Sequence, residues 1–134
     1  MRTRAEHGNI SVTTIGFLVV VGLMTVVVVN ASAAFLAKQE LNNLADGAAL
    51  SAADGLDETG FYTGTDVRLE PSRARELVTR YLAGRPVQVV EVVVDADTVR
   101  VALERDLSLR LVPPGWFDST RVTAEATSQL RELP

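Results

Sequence analysis

The sequence predicts an α+β protein: a long N-terminal transmembrane helix followed by a small domain of one amphipathic helix packed on a three-stranded antiparallel sheet. Three observations lead there. Ile10 to Leu36 carries no charged side chain, with its densest apolar run from Ile15 to Val29. A short segment from Pro71 repeats its apolar residues with the period of a helix. The chain from Pro86 onward is valine-rich and alternates with a period of two. These divide it into a basic leader over 1–9, a helix over 10–54, a linker loop over 55–70 and an α+β domain over 71–134.

The apolar stretch is long enough for a bilayer. A hydrocarbon core about 30 Å thick takes roughly 20 mostly apolar residues at about 1.5 Å of rise each. Val26 to Val29 would favour a strand in water, but inside lipid a single segment satisfies its backbone only as a helix. Arg2 and Arg4 precede the stretch, while Glu40, Asp46, Asp54, Asp57 and Glu58 follow it beyond Lys38. The positive-inside tendency therefore puts the N-terminus in the cytoplasm and the C-terminal domain on the far side of a cell membrane crossed once. Two other readings use the same residues. A basic start, an apolar core and Ala31-Ser32-Ala33 also fit a secretory signal cut after Ala33, which would release a soluble binding module. Gly8 before an apolar helix fits a type IV prepilin leader, except that Thr13 stands where a glutamate is expected.

Beyond the span, Ala37, Leu41, Leu44, Ala45, Ala48 and Ala52 recur at three- and four-residue steps and form one narrow helix face. Small side chains let another element approach closely, so this face is expected to pack against neighbouring helices. The competing partner is the chain's own C-terminal domain. Asp54-Gly55 is the expected stop of this helix, with Gly55 in the left-handed capping position.

The basic leader, Gly8, the apolar span and the run from Phe35 to Ala53, FLAKQELNNLADGAALSAA, resemble the TadE/TadG-like proteins of the tight-adherence (Flp) pilus apparatus. The resemblance covers about the first 53 residues. This chain has Asn30 where the family usually carries an acid, Asn42 for glutamine and Gly47 for alanine. The resemblance implies a single-pass component of a bacterial pilus or secretion assembly with its C-terminal domain outside; the expected partners are the lipid bilayer, other assembly subunits and further copies of the chain. It brings no catalytic residues, and pilin-like subunits share the general plan of a head on a long helix.

Within the linker, Phe61-Tyr62 is expected to plug the edge of the core. Pro71 suits the first turn of a helix whose apolar face is Ala74, Leu77, Val78, Tyr81 and Leu82, ended by Gly84 and Pro86. The strands are Pro86 to Val94, Val99 to Val112 and Thr120 to Leu130, the first two joined by a turn at Asp95-Ala96-Asp97-Thr98. The second turns Val99, Val101, Leu103, Leu107, Leu109 and Leu111 inward, with Arg105 a breach on that side, and the third turns in Val122, Ala124, Ala126, Ser128 and Leu130. The Pro71 helix is the expected cover for this face. Trp116-Phe117, beside Pro113-Pro114-Gly115, is expected to close the sheet end, with contact to a partner or the membrane surface as the other use.

Nothing in the sequence assembles an enzyme. His7 is the single histidine, there is no cysteine, and no serine has a base in its context, so no activated nucleophile or thiolate metal site is expected. Asp95 and Asp97 are common turn residues without the other ligands of a calcium loop. No cofactor or small-molecule substrate is expected. A formal net charge of -4 with no basic stripe argues against nucleic acid. An exocytoplasmic accessory of a membrane enzyme is the remaining alternative to a pilus component.

Overall fold

The computed structural model of the chain describes the backbone of residues 6–63, 70–95 and 97–129, and the side chains of 10–55, 70–95 and 97–129. Helix α1 runs unbroken over Glu6–Thr63, 58 residues, a length of about 87 Å at the usual rise. Helix α2 covers Pro71–Tyr81, and strands β1 (Gln88–Asp95), β2 (Thr98–Ser108) and β3 (Ser119–Gln129) form one antiparallel sheet in the order β1-β2-β3. The α+β plan expected from the sequence is the one observed. Leu130 and the leader's Arg2 and Arg4 lie outside the described residues, as do the side chains of Phe61 and Tyr62.

The sheet is built by alternation. Val99, Val101 and Leu103 of β2, Val122, Ala124 and Ala126 of β3 and Val92 of β1 are buried on one face. Arg100 pairs with Glu125, and Arg121 with Asp106 and Glu104, across the other. β2 and β3 pair without a break from Thr98↔Gln129 to Ser108↔Ser119. The β1–β2 register shifts between Val89 and Glu91, so the bulge sits in β1, and Arg105 is in regular register opposite Val122. β2 ends at Ser108, short of the expected Val112. There the Leu109 N–H donates to the Asp118 carbonyl at 2.8 Å, and Pro113 and Pro114 beyond it have no N–H to offer a ladder.

Two expectations are corrected. The main cover of the sheet is α1, which lies against β2 and β3, whereas α2 meets α1 and the β1 side. The reason is depth: alanines at 37, 45, 48, 49 and 52 are buried and let β2 and β3 come close to the α1 backbone. The second concerns the end of α1, which continues past Asp54-Gly55 through Leu56 to Thr63, where a loop was expected. Positive φ occurs at Gly84 and Gly115 among the described residues and not at Gly55. Gly55 meets a packing need instead, because a Cβ there would come within 2.9 Å of Leu77 Cδ1. At Gly47 a Cβ would overlap the Tyr81 hydroxyl, with Cζ only 2.8 Å away. Two bare patches on α1 thus seat Leu77 and Tyr81, one turn apart in the C-terminal half of α2.

Helix α2 has Pro71 in its first turn, and Ala74 and Val78 are buried on its inner face. Glu76 pairs with Arg73 at 2.8 Å and with Arg80 at 2.9 Å on the exposed face. Gly84, at φ 78, turns the chain toward the sheet, and the Arg85 guanidinium lies 5.6 Å from the Tyr81 ring centre, a cation–π distance.

Core depth makes the seam testable. Leu103→Ala, at a fully buried site, should cost about 2–5 kcal/mol. Ala48→Leu, also fully buried, should cost about 1–3 kcal/mol by overpacking. Leu50→Ala, on the exposed side of the same helix, should stay within about 0.5 kcal/mol. Urea titration of the detergent-solubilised chain, followed through the β2 amide signals, measures all three.

Candidate functional site

Polar side chains of α1 flank its alanine face and grip the sheet. The Lys38 ammonium donates to the Thr123 carbonyl. Glu40 pairs with Arg105 at 3.1 Å, and the Arg105 side chain is 17% exposed. That pair resolves the breach on the inner face, since a nearly enclosed guanidinium needs a charged partner. Asn30 reaches furthest. Its amide nitrogen donates to the Leu111 carbonyl at 2.5 Å, and its amide oxygen accepts from the Leu111 N–H at 3.2 Å. A carboxamide presents one donor and one acceptor, the match for both backbone groups of a single residue.

These contacts give β2 a direction. It passes Glu40 at Arg105 and reaches Asn30 just beyond its end at Leu111, so it runs antiparallel to α1, toward the apolar span. The loop from Leu109 to Asp118 therefore sits at the level where the dense apolar run ends at Val29. Within it the Trp116 N–H donates to the Pro113 carbonyl at 3.2 Å, and Gly115 takes φ 89.

The residues singled out by sequence fall in two different places. Ala37, Leu41, Leu44, Ala45, Ala48 and Ala52 are all buried in one cluster with the sheet and α2. The face expected to meet neighbouring helices is covered by the chain's own head. Trp116 is 74% and Phe117 91% exposed, so this pair does not close the end of the sheet. Asp95 and Asp97 stand at the β1–β2 turn, and no group of three or more His, Cys, Asp or Glu side chains gathers among the described residues.

Between α1 and the end of β2 a groove of about 530 Å³ opens, walled by Val28, Val29, Ala33 and Leu36 on one side and Leu107 on the other, with Arg105 and Arg110 along it. Below it the helix is bare. The most apolar window of α1 buries none of its residues against the rest of the chain, and Phe17, Leu18, Leu23 and Met24 are all more than half exposed. By length and composition this is a helix able to cross a membrane.

Comparison with known proteins adds one finding to this geometry. Residues 8–55 match the family described as "Putative Flp pilus-assembly TadE/G-like". The matched segment takes in the bare span and the alanine face, and it stops before α2 and the sheet. The match and the membrane-length helix together support a component of pilus assembly. No curated protein and no solved structure matches the chain.

Sequence reasoning missed the ties at Asn30 and Lys38. Their one visible signal was Asn30 itself, standing where the resembling family has an acid. Asn30→Asp keeps an acceptor for the Leu111 N–H but sets a carboxylate against the Leu111 carbonyl, whereas Asn30→Ala removes both bonds. Amide exchange at Leu111 should be partly protected in Asn30→Asp and fully released in Asn30→Ala, with each lost bond costing about 0.5–1.5 kcal/mol.

Proposed function

We propose that this chain is a non-enzymatic, single-pass membrane subunit of a Flp-type pilus-assembly apparatus. It is anchored with its N-terminus in the cytoplasm and holds its α+β head against the outer side of the bilayer. One observation carries the reading: an apolar helix of membrane length, none of whose most apolar window is buried, continues without a break into turns that form the core of a folded head. A helix this apolar has no place in water, and a head built on the same helix cannot drift from the membrane.

The work of such a subunit is packing. Because its alanine face is covered by its own sheet, contacts with other subunits fall to the span and to the uncovered side of α1, where Phe35, Leu36 and Leu50 are exposed. Release by a cut after Ala33 fits less well. Such a cut would remove Asn30, which holds Leu111, and would leave the alanine face as the start of the chain.

The test uses the native host. Deleting the gene should abolish Flp pili on the cell surface, and a wild-type copy should restore them, with the full-length chain resisting carbonate extraction from membranes. A Leu23→Arg copy, which places a charge at mid-span at a cost of about 2.5–3.5 kcal/mol, should lose both membrane retention and pili. Unchanged piliation in the deletion strain, or a full-length chain washed off by carbonate, would overturn the proposal.

A further inference from the structure

Two large aromatic side chains lie bare in a loop held in a fixed place. Trp116 and Phe117 are 74% and 91% exposed, while Leu111 in the same loop is tied through both backbone groups to Asn30. The Leu109–Asp118 bond closes the loop at its neck. A clamp of this kind selects the loop's height along α1, and that height is one residue beyond Val29. Ile10 to Val29 spans about 30 Å as a helix, the thickness of a hydrocarbon core, so Asn30 marks the exit from lipid. Tryptophan and other aromatic rings concentrate at that depth, where an apolar ring body and a polar N–H are both accommodated.

We propose that the loop from Leu111 to Phe117 is a second membrane contact, with the Trp116 and Phe117 rings seated in the interfacial layer of the bilayer beside the span. The occupant is lipid, because the two bonds from Asn30 hold the loop at the end of the bare apolar span, next to a groove whose wall includes the span residues Val28 and Val29. Arg110, exposed on the rim of that groove, stands at headgroup level. With two attachments the head is fixed in rotation as well as in depth. This inference rests on the membrane-spanning reading of α1.

Trp116 is the only tryptophan in the chain and there is no cysteine, so both attachments can be read separately in the full-length protein. The chain is reconstituted into vesicles of phosphatidylcholine and phosphatidylglycerol, with and without bromine on the acyl chains near the headgroup. Trp116 emission should shift to the blue relative to detergent-free water, lose intensity with brominated lipid, and resist acrylamide. A nitroxide on Val20→Cys, in separate vesicles, reports the span. Trp116 open to acrylamide and untouched by bromine, with the Val20→Cys nitroxide in lipid, would overturn the loop contact and leave the span standing. Shielding from acrylamide without bromine quenching would mean a protein neighbour, and would also overturn it. A Val20→Cys nitroxide open to aqueous reductant would remove the spanning reading, and this inference with it.

Discussion

The close approach of β2 and β3 to the backbone of α1 is the constraint on which the rest of the head depends. Val99, Val101 and Leu103 reach full burial because the side chains opposite them on the helix are mostly alanine. A three-stranded sheet with one apolar face gains its stability by burying that face against another layer. Here the cover is the continuation of the bare apolar helix, so the element long and apolar enough to cross a membrane also completes the fold of the head. Helix α2 is secondary in this scheme: it closes the β1 side and rests on α1 where Gly47 and Gly55 leave room.

That arrangement explains two of the three places where the chain departs from the pattern of the family it resembles. Gly47, in place of alanine, makes room for Tyr81. Asn30, in place of an acid, offers the donor that a carboxylate lacks and so can hold the Leu111 carbonyl as well as its N–H. Both departures lie on the segment that matches the family, and both answer to residues that lie outside it. The matched helix is thus adapted to the head it carries.

Much of this was legible in the residues because it rests on local patterns. The apolar run, Pro71 and Gly84 bounding α2, and the alternation of β2 and β3 each follow from periodicity or backbone limits that neighbouring residues express. What escaped depends on partners far along the chain. Gly55 reads as a cap by residue type, yet it is bare for the sake of Leu77. The alanine face was visible as a contact face, but its spacing is the same whether the partner is another subunit or the chain's own sheet. Trp116 and Phe117 read as a plug, since aromatic pairs beside Pro-Pro-Gly commonly bury themselves, and only the tie at Asn30 reveals the level at which they stay exposed.

The unbroken course of α1 has a mechanical consequence. With no proline between Glu6 and Thr63 and no interruption of the helix, the span and the head turn as one shaft. Each residue of an α-helix advances the azimuth by about 100°, so adding or removing a single residue between the span and Asn30 would swing the head by that angle about the helix axis while shifting it along that axis by only about 1.5 Å. The direction in which the sheet faces its neighbours is therefore encoded as a phase, set by the number of residues in the span rather than by their identity.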